Sequence, residues 1–150
     1  MKRMHLHISV DDINKSIGFY NNLFGAAPTV AKSDYAKWML NDPLVNFAIS
    51  KRGAKPGLDH IGIQVESDTE LSEIKERLEK AELSLLTEEG TTCCYAKSDK
   101  HWVQDPSGIA WETYRTLDTA PTFSGQESAE PSAACCVPAT QKVQFITRKS

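Results

Sequence analysis

The sequence predicts an α+β fold built from two βαβββ modules that pair around a shared cavity. Three observations predict it: a strand-like segment followed by a helical one occurs twice, each copy opens on a histidine, and three short strand-like runs follow each copy. The copies begin with "HLHISVDDINKSIGFYNNLFG" from His5 and "HIGIQVESDTELSEIKERLEKAEL" from His60. We place the modules at about 3–50 and 58–115, joined by "KRGAKPG".

The leading strand of each module shows period-two alternation, which puts alternate residues on opposite faces of the strand. One face is aliphatic and the other carries the leading histidine. The aliphatic faces are Leu6, Ile8 and Val10 in the first module, and Ile61, Ile63 and Val65 in the second. We expect the helices to cover these faces, so that His5 and His60 look into the cavity.

Each leading strand is followed by a segment with the apolar period of an amphipathic helix. The two apolar stripes are Ile13, Ile17, Tyr20 and Phe24, and Leu71, Ile74, Leu78 and Ala81. Asp12 is the predicted N-cap of the first helix, and Ser67 or Asp68 that of the second. Short polar side chains suit these positions because they accept hydrogen bonds from the first backbone N–H groups of a helix.

Three short strands are predicted after each helix. They are Pro28–Ala31, Tyr35–Leu40 and Val45–Ser50 in the first module, and Ser84–Thr87, Thr92–Lys97 with a continuation to Val103, and Ile109–Arg115 in the second. Turn signals separate the last two strands of each module, at Asn41–Pro43 and Asp105–Gly108. One such sheet alone has an uncovered face and open edges, which favours pairing of the two copies.

The composition is that of an ordinary globular chain, with 150 residues, 40% hydrophobic, 25% charged and a formal net charge of −3. This length predicts one domain, which we place at 1–117. The charge gives no reason to expect nucleic acid or an anionic membrane as a partner, and no apolar run is long enough to span a bilayer. We therefore expect a cytoplasmic protein with reduced thiols.

Residues 118–150 differ in character from the rest of the chain. They are rich in Ser, Ala, Pro and Thr, show no apolar period, and contain Cys135 and Cys136. This composition predicts a flexible C-terminal tail.

Two histidines and one glutamate are candidate metal ligands. In "IAWETYR", Glu112 stands among apolar and aromatic residues, where an unpaired carboxylate is costly to bury. If its strand face lines the cavity, His5, His60 and Glu112 converge. Two imidazoles and one carboxylate with open positions are typical of non-haem Fe(II) enzymes that use O₂, although Zn(II), Ni(II) or Mn(II) suits the same ligands. Alignment of the modules places Ala48 or Ile49 opposite Glu112, so the first module offers no equivalent carboxylate.

Other polar residues near these positions have more than one interpretation. His7 forms an H-x-H pair with His5 and either chelates the same ion or lines the pocket; its counterpart Gly62 favours the second interpretation. His101 is predicted to be a strand or turn residue. Tyr95, Lys97 and Lys100 are predicted to be exposed strand residues. The alternative is that they stabilise a loop or an oxyanion.

The four cysteines occur as two adjacent pairs, Cys93–Cys94 and Cys135–Cys136. Consecutive Cα atoms are about 3.8 Å apart, closer than a relaxed disulfide prefers. Two neighbouring thiols suit a soft, thiophilic ion; the alternative is a pair of small apolar residues on a strand. Because adjacent residues on a strand point to opposite faces, joint binding by Cys93 and Cys94 requires a turn or bulge there.

Taken together, these motifs resemble the vicinal oxygen chelate superfamily, which includes glyoxalase I, fosfomycin and bleomycin resistance proteins and extradiol dioxygenases. The likeness covers about Met4 to Arg115 and rests on the two leading segments and "DPSGIAWETY". The stretch "GTTCCYAKSDKHWVQDPSG" followed by "WETY" is similar to the branch of cadmium-induced proteins and arsenic–carbon lyases. Members of that branch carry a Cys-Cys pair in this loop and often a second pair in the C-terminal tail.

The resemblance implies an Fe(II)- and O₂-dependent enzyme that cleaves the carbon–arsenic bond of trivalent organoarsenicals such as methylarsenite, with arsenite as a product. The residues it implies are His5, His60 and Glu112 for the metal and Cys93 and Cys94 for arsenic. In this interpretation Cys135 and Cys136 either transfer arsenicals or are dispensable.

Two other functions remain open at the level of the sequence. One is a thiol-based resistance protein that binds cadmium or arsenite without turnover. The other is a generic oxygen-chelate dioxygenase in which the cysteines are incidental. Exposed sheet edges are also compatible with a homodimer.

Overall fold

The two predicted βαβββ modules are present in the computed structural model, which describes residues 1–121. The elements of the first module are β1 (Arg3–Ser9), α1 (Ile13–Phe24), β2 (Val30–Ala31), β3 (Tyr35–Asn41) and β4 (Leu44–Ser50). Those of the second are β5 (Gly57–Val65), α2 (Asp68–Lys80), β6 (Leu86–Cys93), β7 (Ala96–Gln104) and β8 (Ala110–Thr119). The α+β class and the duplication are therefore confirmed.

The strands form one 8-stranded mixed sheet in the order β2-β3-β4-β1-β5-β8-β7-β6. The leading strands β1 and β5 lie side by side at its centre and run antiparallel, whereas β4 and β8 run parallel to them on either side. The register pairs His7 with His60 and His5 with Gly62. The duplication thus brings the histidines of both modules onto adjacent strands.

Both helices begin at predicted N-caps. The Asp12 carboxylate accepts a hydrogen bond of 3.0 Å from the backbone N–H of Lys15, and the Ser67 hydroxyl accepts one of 3.2 Å from that of Glu70. Ser67, and not Asp68, is the cap of α2. Helix α1 ends at Gly25, whose φ of 62° is the left-handed conformation that glycine adopts without strain.

The apolar cores lie between the helices and the sheet. The larger core, under α1, consists of Ile13, Ala36, Trp38, Phe47 and Ile49, with Leu6, Ile8, Val10, Ile17, Tyr20 and Phe24 packed against it. The smaller core, under α2, contains Val65, Leu71 and Ile74. Ala81 of the second predicted stripe is exposed, because it caps the C-terminus of α2. Burial of each large apolar side chain here contributes about 1.5–3 kcal/mol to the free energy of unfolding. The helices therefore pack against one face of the sheet, and the polar groups of the candidate site lie on the other.

The sheet curls so that its two ends meet. Cys93, on the edge strand β6, is buried in one cluster with Tyr35 of β3 and Ala48 of β4. Beside it the Tyr95 hydroxyl donates a hydrogen bond of 2.6 Å to the Asp34 carboxylate of the first module. The face of the sheet opposite the helices therefore encloses a pocket.

The chain reverses direction at the adjacent cysteines. Strand β6 ends at Cys93, which pairs with Ala96 at the start of β7, and the two residues between them have φ of 55° (Cys94) and 59° (Tyr95). Positive φ at both central residues is the signature of a type I′ hairpin turn. The predicted turn is confirmed, but a continuous strand from Thr92 to Val103 was wrong. The usual signal for this turn, an Asn-Gly or Asp-Gly pair, is missing from the sequence.

Two predicted boundaries also move. The strand predicted at Ser84–Thr87 begins later and continues to Cys93, and the last strand extends past Arg115 to Thr119. Residues 122–150, with Cys135, Cys136 and most of the predicted tail, lie outside the described residues. Within the described part of the chain, no helix has both the length and the apolar character needed to cross a membrane.

Gly62 is required by the close approach of β5 to β8. It pairs with Glu112, and a Cβ atom at this position would overlap the Glu112 backbone carbonyl oxygen. Relief requires the two strands to separate, so we expect Gly62→Ala to lower the free energy of unfolding by about 3 kcal/mol, the upper end for overpacking. Urea unfolding followed by circular dichroism measures this loss.

The matched control is Gly18→Ala, in the middle of α1. A Cβ there has no atom within 4 Å to meet, so the substitution is expected to stabilise the protein by about 0.5–1 kcal/mol. A Gly62→Ala protein as stable as its parent would contradict the close approach.

Candidate functional site

The three predicted metal ligands meet on the enclosed face of the sheet. The Nε2 atoms of His5 and His60 are 3.1 Å apart, and the Oε2 atom of Glu112 lies 3.6 Å from the first and 3.5 Å from the second. All three side chains are buried. Donor atoms about 2.1 Å from one ion lie about 3.0 Å apart at octahedral angles and about 3.4 Å apart at tetrahedral angles. The spacing and chemistry of this donor set therefore fit a divalent metal ion.

Hydrogen bonds orient both imidazoles for such a role. The Nδ1 atom of His5 lies 3.1 Å from the backbone carbonyl oxygen of Asn46, and Nδ1 of His60 lies 2.6 Å from Oδ1 of Asp59. Each Nδ1–H thus donates away from the centre, and each Nε2 faces it. Metal-ligating histidines are usually held in this way, with an oxygen acceptor that sets the tautomer.

Asp59 is a residue that the sequence interpretation missed. The β1–β5 register jumps from the pair His7–His60 to the pair Ile8–Leu58, so Asp59 is an extra residue in a bulge of β5. In a regular strand it would point away from His60. The bulge instead lets its carboxylate reach the His60 ring, and Ser9 Oγ donates to its other oxygen at 3.4 Å. The only signal in the sequence was an Asp directly before the His of "LDHI".

Lys100 is buried, so the prediction of an exposed residue was wrong. The residue is 4% exposed, and its Nζ atom lies 2.7 Å from Oε1 of Glu112. A lysine is rarely buried without an anionic partner, and here that partner stands on the neighbouring strand β8. Lys97 on the same strand is exposed as predicted, whereas Tyr95 is a half-buried turn residue.

The ion pair keeps Glu112 charged. Burial raises the pKa of this carboxyl, but the Lys100 charge and the hydrogen bond from His60 outweigh burial and hold the pKa well below its usual range. Burial alone would lower the pKa of Lys100, but the Glu112 charge outweighs burial and raises this pKa above its usual value. One carboxylate oxygen is thus bound to lysine while the other faces the histidines.

The two histidines differ in charge when no metal is bound. Burial lowers the pKa of His5 to about 4, against the opposing charge of Glu112. Burial also lowers the pKa of His60, but its hydrogen bonds to Asp59 and Glu112 prevail and raise the pKa to about 9. Coordination through Nε2 therefore requires the His60 proton to be released.

His7 lies at the border of the same centre. Its ring centroid is 4.8 Å from that of His60 and 6.3 Å from that of His5. Its Nε2 atom is 2.8 Å from Ser50 Oγ. Burial lowers its pKa to about 3, with the His60 charge acting in the same direction. His101, by contrast, is a β7 residue bonded to Thr87, as predicted for a residue without a ligand role.

The adjacent cysteines line the same pocket as two of the candidate ligands. Cys93, Cys94, His5 and Glu112 are all in the wall of this pocket, which is partly open to solvent. The two sulfur atoms are 3.2 Å apart, well beyond a disulfide bond length of about 2.05 Å. Because of the turn, the two thiols lie close enough together to bind one atom.

Two lysines share the pocket wall with the thiols, namely Lys37 and Lys100. Nearby cations favour the thiolate form of cysteine, which is the form that binds soft ions. Burial lowers the pKa of Lys37, while the charge of Cys94 acts in the opposite direction. Lys37 was missed in the sequence, although strand alternation places it on the same face as the buried Tyr35.

The fold and the site define a class: a paired βαβββ sheet with a candidate metal centre and a thiol pair in one pocket. Residues 2–113 match the Glyoxalase/Bleomycin resistance protein/Dioxygenase superfamily. The chain therefore belongs to this superfamily, as its resemblance to oxygen chelate proteins implied.

Similar proteins of nearly the same length carry names connected with arsenic and cadmium. The chain is 43% identical over 148 residues to the trivalent organoarsenical cleaving enzyme of Bacillus sp. (strain MD1), covering 92% of each chain. It is 37% identical over 139 residues to the probable trivalent organoarsenical cleaving enzyme of Bacillus subtilis (strain 168), covering 91% of this chain and 92% of the relative. It is 35% identical over 141 residues to the cadmium-induced protein CadI of Mycobacterium tuberculosis (strain ATCC 25618 / H37Rv), covering 91% and 93%. The enzyme names support carbon–arsenic cleavage at the level of the family.

Solved structures support the fold. The 2,3-dioxygenase LapB from Pseudomonas sp. KL28 matches with a TM-score of 0.61 at 19% identity, over 85% of this chain and 45% of the other. The Mn(II)-bound glyoxalase from Novosphingobium aromaticivorans matches with a TM-score of 0.57 at 15% identity, over 86% and 44%. At these identities the likeness concerns the architecture alone.

Loss of Lys100 is expected to leave Glu112 as an uncompensated buried charge. Lys100→Met keeps most of the side-chain volume, and we expect the metal-free protein to lose about 3–5 kcal/mol of unfolding free energy at pH 7. Without the ammonium, the pKa of Glu112 rises, so the carboxyl is neutralised as the pH falls and the deficit relative to the parent shrinks towards pH 4. Urea unfolding at pH 7 and pH 4 measures both effects.

The exposed neighbour provides the control: Lys97→Met should change stability by less than about 0.5 kcal/mol, and equal losses in the two variants would contradict the assignment.

The metal-free protein is expected to be most stable near neutral pH. His5 and His7 have pKa values of about 4 and about 3 in the folded state, against about 6.5 when unfolded. The unfolded chain therefore binds more protons as the pH falls below 6.5, and stability drops by up to about 1.4 kcal/mol per pH unit for each histidine. His60, whose folded pKa is about 9, contributes stability that is complete below about pH 6.5 and is lost as the pH rises through 9.

Urea midpoints of the metal-free protein between pH 4 and pH 9 test this profile. His7→Gln should flatten the acid limb and leave the alkaline limb unchanged. A parent profile that stays level from pH 6.5 to pH 4.5 would be inconsistent with neutral, buried imidazoles.

Proposed function

We propose that this protein cleaves the carbon–arsenic bond of trivalent organoarsenicals such as methylarsenite, in a reaction that depends on Fe(II) and O₂ and yields arsenite. The observation that carries the proposal is the shared pocket, whose wall contains the Cys93–Cys94 thiols and the carboxylate of Glu112. Identity of 43% to a relative named trivalent organoarsenical cleaving enzyme, over nearly the whole chain, supports it.

The adjacent thiols supply the selectivity for arsenic. Soft sulfur ligands prefer soft, thiophilic centres over the phosphates and carboxylates that a hard site accepts. Methylarsenite carries two hydroxyl groups and one methyl group on arsenic. Exchange of both hydroxyls for the sulfurs of Cys93 and Cys94 forms two As–S bonds, releases two water molecules and leaves the methyl carbon as the third substituent. The Lys37 and Lys100 ammonium groups in the pocket wall favour the thiolates that this exchange needs.

His5, His60 and Glu112 have the donor chemistry of an Fe(II) site that leaves positions open for O₂. Bound there, Fe(II) supplies the activation of O₂ that oxidation of the As–C carbon requires. Residues of the chain orient the proposed ligands. Lys100 holds one oxygen of Glu112 at 2.7 Å and leaves the other for the centre, while Asp59 holds the His60 ring at 2.6 Å.

Anchoring by two sulfurs also provides proximity. A substrate held by two bonds meets the metal centre in a restricted set of orientations, which converts a bimolecular encounter into a positioned one. The hydrogen bond of Tyr95 to Asp34 closes the hairpin onto the first module. This contact keeps the sulfurs over the pocket while the arsenical is bound.

Turnover of methylarsenite tests the proposal. The iron-loaded protein is incubated with methylarsenite without oxygen, air is admitted, and arsenite is separated and quantified by mass spectrometry. We expect arsenite from the parent and none from Glu112→Ala, which lacks the only carboxylate of the proposed ligand set. Cys93→Ser should retain the Fe(II) affinity of the parent but release arsenite at least about 100-fold more slowly, since it loses bidentate positioning.

Two outcomes would replace the proposal. If the iron-loaded parent retains the arsenical after oxygen is admitted and forms no arsenite, the protein is a thiol-based binding protein without turnover. If a Cys93→Ser/Cys94→Ser protein releases arsenite as fast as the parent, the thiols are incidental and a more general oxygen-chelate chemistry is correct.

A further inference from the structure

We propose that His7 is a fourth protein ligand of the metal centre, so that His5, His7 and His60 can hold a divalent ion as an all-imidazole set. The proposal rests on the metal centre of the proposed function and adds a ligand to it. Its consequence is that this chain retains nitrogen-preferring ions such as Zn(II), Ni(II) and Cu(II) more firmly than the two-histidine set alone would.

The strand register puts His7 beside the other two imidazoles. On β1, His5 and His7 share a face because they are two residues apart, and His7 stands directly opposite His60 on β5. Each of the three offers a ring nitrogen, and these atoms all lie within 4.8 Å of one another. The three imidazoles therefore form one buried cluster of possible ligand atoms.

His7 also has a ring nitrogen that no other residue in the described range 1–121 contacts through a hydrogen bond. Its ring is 1% exposed, and its Nδ1 atom has no hydrogen-bond partner among the described residues. A buried polar atom left in this state costs about 1–3 kcal/mol. His5 and His60 are each anchored to an oxygen through Nδ1 and present Nε2. His7 reverses the arrangement: Nε2 is anchored to Ser50 Oγ at 2.8 Å, and Nδ1 remains for an ion.

The pseudo-symmetry of the modules supplies an independent argument. In the first module, His7 pairs with Ala48; in the second, the equivalent pair is Gly62 with Glu112. Each pair thus combines one residue with a donor group and one small residue. The two modules each add one donor to the leading histidines, from opposite members of the same pair.

The ion pair of Glu112 explains why an added imidazole matters. Lys100 keeps Glu112 ionised but occupies Oε1 at 2.7 Å, so that the carboxylate has one oxygen left for a cation and loses bidentate binding. A third imidazole offsets this loss, and it does so most for ions late in the Irving–Williams order. The ratio of Zn(II) to Fe(II) affinity should therefore depend on His7.

X-ray absorption at the zinc edge tests the ligand count in the parent protein, without any substitution. The outer-sphere scattering of imidazole distinguishes three histidines from two. We expect three in the Zn(II)-loaded parent and two in His7→Gln, whereas His101→Gln, which changes a buried histidine outside the centre, should keep three. Two histidines in the parent would overturn the proposal.

Competition with a chelator measures the affinities. His7→Gln should lower Zn(II) affinity by more than about 100-fold, beyond the 10–100-fold typical for residues that only hydrogen-bond to a ligand. Its Fe(II) affinity should fall less. Glu112→Gln should retain Zn(II) through the three imidazoles, and the double variant should lose it. Equal loss of Zn(II) and Fe(II) in His7→Gln, or complete loss of Zn(II) in Glu112→Gln alone, would count against the proposal.

These results separate the ligand assignment from the proposed activity. A parent that binds Zn(II) with three histidines but forms no arsenite when loaded with Fe(II) supports His7 as a ligand and overturns carbon–arsenic cleavage. A parent that forms arsenite and binds Zn(II) with two histidines does the reverse. The circular dichroism spectrum of each metal-free variant verifies that it is folded.

Discussion

The buried ion pair between Lys100 and Glu112 is the interaction on which the site depends. Burial without a charged partner favours the protonated form of a carboxyl, and a protonated carboxyl is a poor ligand for a cation. Lys100 keeps Glu112 ionised and occupies one of its oxygens at 2.7 Å, so that the other faces His5 and His60. Buried ion pairs contribute little net stability compared with apolar residues of the same volume. The pair is therefore better explained by the chemistry of the centre than by the stability of the fold.

The second constraint is the antiparallel pairing of β1 with β5. It joins the modules through their leading strands. The position of each histidine on its strand is therefore enough to place its ring at the candidate metal centre. The same pairing explains why the two halves are unequal. At equivalent positions β5 has Gly62, where a Cβ would meet the backbone carbonyl oxygen of Glu112, whereas β1 has His7, which pairs with Ala48. Duplication provides the enclosure, and the two modules differ at one equivalent pair of positions, His7–Ala48 and Gly62–Glu112.

Periodicity predicted the architecture and brought together most residues of the candidate site, because the strands and helices here follow simple rules. Alternation in "HLHISV" and "HIGIQV" placed the histidines opposite the helices, and Asp12 and Ser67 cap helices where expected. Alternation could not predict the positions where the backbone departs from a regular strand. Asp59 reaches His60 only through a bulge, and the turn after Cys93 uses residues that rarely form such turns. The burial of Lys100 depends on a partner twelve residues away, which no local pattern records.

The turn at the cysteines connects the thiol pair to the closure of the sheet. Cys94 and Tyr95 both have positive φ, a conformation that costs non-glycine residues roughly 1–2 kcal/mol each. Such strain persists only where the surroundings hold it. Here the Tyr95 hydroxyl bonds to Asp34 at 2.6 Å, and its backbone carbonyl accepts from Ala120 at 2.8 Å. A relaxed strand would send adjacent thiols to opposite faces. The contact with Asp34, which fastens the hairpin to the first module, therefore also holds the turn that places the two sulfurs 3.2 Å apart. Closure of the pocket and pairing of the thiols thus depend on the same turn.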